Sequence, residues 1–159
     1  MSLFFRHYDT DNDGRLRYSN FCSAFTPKDK EFANLLLNRE PYHSRHLHRR
    51  EDYFALNTRN QLRRCFRVHF DLENEAEHLR QRLARWPSFS VHEAFKATDK
   101  HQLGWISSSQ LKQLLNEHGF FPTEKELMNV MDRYDRNKDG RISYSEFVEE
   151  VAPKSPRKY

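Results

Sequence analysis

Glycine is scarce in this chain, with four in 159 residues, and cysteine is scarcer, with two, Cys22 and Cys65. Two cysteines cannot build a disulfide framework, so a reducing cytosolic setting is the default expectation. Apolar runs such as Leu35-Leu36-Leu37 fall far below the roughly 20 residues that a membrane-spanning helix needs. The opening MSLFFRHYDTD holds no apolar stretch of signal-peptide length and meets acidic residues at once. A Gly-rich phosphate loop and a nucleophile elbow are also missing, so the chain reads as a binding protein and not an enzyme. The hydrophobic fraction of 36% and the mean hydropathy of −1.01 are low. Yet 13 Phe, 7 Tyr and 2 Trp supply large faces to bury, which excludes a disordered chain and leaves one domain or two small ones.

The positions of the glycines are more informative than their number. Gly14, Gly104 and Gly140 each stand sixth from an aspartate and two before an aliphatic residue, Leu16, Ile106 or Ile142. In the last copy, Asp135, Asn137, Asp139, Ser143 and Glu146 put oxygen-bearing side chains at loop positions 1, 3, 5, 9 and 12. A hard cation takes six to eight oxygens, and alternate residues of a tightly coiled loop point inward, which is the pattern of an EF-hand calcium loop. Asp135, Asn137 and Asp139 would each give one oxygen, the Arg141 carbonyl a fourth, Ser143 one through water and Glu146 two. Gly140 permits the positive φ of the turn. Flanking helices are legible in the Thr123/Glu126 capping box, in Leu127, Met131 and Tyr134 ahead of the loop, and in Phe147, Val148 and Val151 behind it.

The copy at 99–110 starts 36 residues earlier and keeps only the frame. His101, Leu103 and Gln110 stand at positions 3, 5 and 12, so a structural role is expected, with Ile106 and Ile142 pairing as short antiparallel strands. The copy at 9–20 is intermediate. Asp9, Asp11 and Asp13 are good ligands and the Arg15 carbonyl is available, but Arg17 at position 9 is no acceptor and Asn20 offers one neutral oxygen at position 12. Such a site is weak for Ca2+ and better matched to Mg2+, which needs fewer protein ligands.

These loops make the chain resemble the calmodulin superfamily of EF-hand proteins, over residues 1–26 and about 88–152. The resemblance implies a calcium-responsive C-terminal lobe able to hold a partner helix. It also implies paired hands, whereas the hand at 9–20 has no visible mate.

Between the hands, residues 27–57 contain Pro27, Pro41, a short helix around Phe32 to Leu37, and a tract carrying Tyr42, His43, Arg45, His46, His48, Arg49 and Arg50. The three histidines lack a fourth ligand at metal spacing, so an exposed loop is expected there. From Thr58 to Trp86 the chain has no Gly or Pro, and Leu62, Cys65, His69, Leu72, Ala76, Leu79, Leu83 and Trp86 step by 3 and 4 alternately. That is a heptad seam, serving a helix packed on its own protein, a docking surface, or self-association. Residues 39–67 hold eight Arg and three acidic residues, which reads as an ordinary solvated face or a contact for an acidic protein surface, ahead of nucleic acid.

The expected fold is all-α, built of EF-hand helix-loop-helix units. An N-terminal hand at 1–26 is followed by a basic connector at 27–57 and a long helix at 58–86. A C-terminal pair at 87–152 and a flexible tail at 153–159 complete the chain. The expected function is a cytoplasmic calcium-binding regulatory or adaptor protein with one firm Ca2+ site and a protein partner. The alternative is a constitutive structural subunit of a large cytoskeletal or ciliary assembly.

Overall fold

A computed structural model describes residues 3–9, 11, 13–39 and 55–154. The described residues form eight helices and one two-stranded antiparallel ribbon. The helices are α1 (Leu3–Tyr8), α2 (Tyr18–Phe25), α3 (Lys30–Leu37), α4 (Leu56–Arg85), α5 (Val91–Thr98), α6 (Ser108–Glu117), α7 (Glu124–Tyr134) and α8 (Tyr144–Val151). The ribbon pairs β1 (Trp105–Ile106) with β2 (Ile142–Ser143). The fold is therefore all-α, with EF-hand units, as the sequence predicts. The chain divides into two compact units, Met1–Ala76 and Glu77–Tyr159. His43, His46 and His48, and Arg45, Arg49 and Arg50 of the Arg-rich tract, lie outside the described residues.

Local chemistry sets most helix boundaries. Asp29 caps α3 by accepting the N–H groups of Glu31 and Phe32 at 3.0 and 3.2 Å. Thr123 and Glu126 cap α7 reciprocally, the Thr123 N–H donating to Glu126 at 2.8 Å and the Glu126 N–H to the Thr123 hydroxyl at 3.3 Å. Helix α6 ends where Gly119 takes φ +78° and the Phe120 N–H reaches back to the Leu115 carbonyl at 2.9 Å. Helix α4 starts at Leu56, two residues ahead of the Thr58 cap expected from sequence.

In the first unit the single hand packs on α4. Phe4, 2% exposed, meets the rings of Phe66, His69 and Phe70 at centroid distances of 5.9, 5.7 and 5.3 Å, and Phe25 stands 4.7 Å from Phe66. The Tyr8 hydroxyl and His69 Nδ1 are 3.2 Å apart. A helix of the connecting segment thus covers the apolar face that a second hand covers in a paired lobe. The rings meet mostly edge to face, the arrangement favoured by their quadrupoles.

In the second unit the core is Phe95, Ile106, Met131 and Ile142, with Leu111, Tyr134 and Phe147 packed around it. Ile106 pairs with Ile142 across the ribbon, as the loop spacing predicts. Both side chains are almost fully enclosed, so Ile142→Ala removes buried methyl groups where the core cannot collapse. The expected cost is about 3 kcal/mol, read by denaturant unfolding in chelator. A cost below about 1 kcal/mol, the level of a tolerated core swap, would mean that the ribbon is not the hinge of this core.

The seam of α4 is arranged differently from the expectation of a packed apolar stripe. Leu72, Leu79 and Trp86 are 57%, 52% and 63% exposed, whereas Glu73, Glu77 and Arg80 are buried. Periodicity assigns residues to a common face, and here the packed face is aromatic at Phe66 and Phe70 and charged from Glu73 to Arg80.

Candidate metal centre

All three loops share a backbone frame. The aspartate at position 1 accepts the N–H of the glycine at position 6: Asp9 from Gly14 at 2.8 Å, Asp99 from Gly104 at 2.7 Å and Asp135 from Gly140 at 2.8 Å. The other oxygen of each takes the N–H at position 5, from Asp13, Leu103 and Asp139 at 3.3, 3.1 and 3.2 Å. Gly14, Gly104 and Gly140 have φ of +80°, +81° and +81°, a region that costs an L side chain energy.

The residue at position 12 also stands at the third position of the exiting helix, and it decides how each loop is closed. In loop 135–146, Glu146 is buried at the start of α8. Its Oε1 accepts the N–H groups of Arg136 and Asn137 at 3.0 and 3.3 Å, and its Oε2 accepts the Ser143 N–H and hydroxyl at 2.9 and 2.7 Å. Burial pushes the Glu146 carboxyl upward, but the bonds from Ser143, Asn137 and Arg136 outweigh it and hold the group below its ordinary value. The side chain is thus anionic at neutral pH. Asp139 accepts from Arg141 N–H at 2.9 Å, and the Asn137 amide donates to Asp139 at 3.2 Å. The donors are all hard oxygens, carboxylate, amide, hydroxyl and carbonyl, a set that suits a hard divalent cation and not a soft metal.

In loop 99–110 the Gln110 amide donates directly to Asp99 at 3.3 Å, while its oxygen takes the Ser107 N–H at 2.8 Å. A neutral side chain closes that loop from within. In loop 9–20, Asn20 donates to the Tyr8 carbonyl at 2.8 Å and accepts the Arg17 N–H at 2.9 Å. Asp9, Asp11 and Asp13 bring ligand atoms within 4.8 Å of one another. The Arg17 guanidinium lies on them, with Nη2 2.7 Å from Asp13 and Nη1 bonded to Asp11. Arg17 at position 9 is therefore more than a missing acceptor, because its charge is spent on the ligands themselves.

The frame, the ribbon and the paired helices of the second unit match a family model described as an EF-hand domain pair over residues 89–152. Residues 89–152 are an EF-hand domain pair. Over 64 residues, 40% of its length, this chain is similar to curated calcium-binding proteins. It is 34% identical to calcium-binding protein 8 of Rattus norvegicus, over 24% of that protein. Identity is 36% to calcium-binding protein 7 of Homo sapiens, over 30% of it, and 39% to calcium-binding protein 5 of Mus musculus, over 37% of it. The chain thus spans well under half the length of these relatives. Among the described residues, no helix is long and apolar enough to cross a membrane.

Proposed function

We propose that this chain is a calcium-binding regulatory or adaptor protein that takes one Ca2+ at loop 135–146 and docks on a protein partner. The observation that supports it most is the Glu146 carboxylate, anionic, buried and held over a loop that offers Asp135, Asn137, Asp139, Ser143 and the Arg141 carbonyl as further oxygens. A bound calcium ion supplies two positive charges to this ring of acidic and polar groups. Glu146 lies in the first turn of α8 and the next residue, Phe147, packs against the core beside Phe95, at 5.6 Å between ring centroids, so the seat of Glu146 adjoins the packing of the core. The partner on this reading is a protein, a helix or an acidic surface, met in the cytoplasm, and the chain is not an enzyme.

A structural reading is supported at the other two loops, where Gln110 and Arg17 supply the closure that a metal supplies in a working hand. Those two hands then serve as fixed helix-pairing modules, in keeping with a subunit of a larger assembly, and in loop 9–20 Asp11 and Asp13 hold the Arg17 guanidinium in place of Ca2+ or Mg2+. A calorimetric calcium titration of the whole chain in millimolar Mg2+ tests the proposal. One site of about micromolar dissociation constant, in the sensor range, is the expected result. No calcium heat would sink the switch and leave the structural subunit.

A further inference from the structure

Glu150 lies one helical turn beyond Glu146 on α8 and is 4% exposed. Arg80, near the end of α4 and itself buried, donates from Nε to the Glu150 carbonyl at 2.7 Å and from Nη2 to the Glu150 carboxylate at 3.3 Å. Arg133, at the end of α7, donates to the same oxygen at 3.1 Å, and Lys154 reaches the other at 2.9 Å. Glu77, one turn back on α4, accepts from Arg80 at 3.4 Å and from the Lys154 N–H at 3.0 Å. The end of α4 and the two helices that flank loop 135–146 therefore converge on one carboxylate.

Holding helices together does not by itself call for charge. Buried ion pairs carry a desolvation penalty that well-packed apolar side chains avoid, so charge at such a junction contributes direction more than strength. A planar guanidinium bonded at once to a backbone carbonyl and a side-chain carboxylate on α8 fixes both the rotation and the depth of that helix. Rotation of α8 moves Glu146, whose Oε1 must stay over the loop backbone near Arg136 and Asn137.

We propose that Arg80 is a positioning residue for the metal loop, holding α8 where the Glu146 carboxylate meets loop 135–146 and so linking cation binding there to the seating of residues 77–85 on the EF-hand pair. This rests on loop 135–146 being a calcium site. Linkage of this kind is reciprocal: what tightens the loop tightens the end of α4, and a partner or strain that loosens the end of α4 weakens the cation site.

The test uses the whole chain. Calcium affinity is measured by calorimetry for wild type, Arg80→Met and Arg80→Lys, and amide hydrogen exchange of residues 77–85 is followed in wild type with chelator and with saturating calcium. Arg80→Met is expected to weaken calcium about tenfold, within the usual range of coupling between sites. Arg80→Lys, which keeps the charge and loses the fork, falls between the two. In wild type the 77–85 amides exchange at least about threefold more slowly with calcium, as linked sites require. A merely structural Arg80 would lower the melting temperature of Arg80→Met and leave its calcium affinity within twofold of wild type, which overturns the proposal. Should Arg80→Met not fold, exchange at 77–85 that ignores calcium in wild type overturns it equally. Absence of calcium heat in wild type sinks the metal-site reading and the linkage with it, whereas heat in wild type without a shift in the variants sinks the linkage alone.

Discussion

Glu146→Gln is expected to abolish calcium binding at loop 135–146 while leaving the protein folded. The outcome is already displayed inside the molecule. At the equivalent position of loop 99–110, Gln110 turns its oxygen to Ser107 and donates its amide to Asp99, closing the loop through its own side chain. A glutamine at 146 has the same neighbours, with Ser143 in the place of Ser107 and Asp135 in the place of Asp99. It removes one negative charge and one of two metal-facing oxygens, and it offers a donor that competes with the ion for Asp135. A loss of at least about 100-fold in affinity is expected, equivalent to about 2.8 kcal/mol at 1.4 kcal/mol per tenfold step. Thermal unfolding in chelator should stay where it is in wild type, because the internal bond replaces what the carboxylate did for the loop. Calorimetry that finds the calcium affinity within fivefold of wild type would show that Glu146 is not a ligand.

The second large effect is a gain. Loop 9–20 already gathers three carboxylates, and the Arg17 guanidinium neutralises two of them in a pair that is partly open to solvent. Exposed ion pairs are worth little, on the order of 0.2 to 1 kcal/mol, so removing this one should not unfold the hand. Replacing Arg17 with Ser and Asn20 with Glu makes the loop two charges more negative and supplies the hydroxyl and the bidentate carboxylate that loop 135–146 has at the same positions. The double variant Arg17→Ser with Asn20→Glu is expected to bind two calcium ions, one more than the single ion proposed for wild type. A stoichiometry that remains at one would mean that the frame of the first hand, and not the charge of Arg17, keeps it silent.

Much of this was legible in the sequence because it is local. The loop spacing, the glycine at position 6, the Thr123/Glu126 capping box and the pairing of Ile106 with Ile142 all follow from interactions within a short segment or between two equivalent loops. Backbone geometry repeats wherever the residues repeat, so three loops of unequal chemistry keep the same bonds from Asp9, Asp99 and Asp135 to their glycines.

Tertiary structure decided the rest, for two physical reasons. A heptad pattern tells which residues of α4 share a face but not which face is covered, and the answer depends on partners far along the chain: Glu150 for Arg80, Lys154 for Glu77, Phe4 for Phe66 and Phe70. A charged residue goes inside only when an opposite charge waits there, and Glu150, 70 positions from Arg80, is not visible as that partner until the chain is folded. The same holds for the mate of the first hand. Sequence searched for a second loop, but what the apolar face of α1 and α2 required was only apolar surface of the right shape, and α4 supplies it.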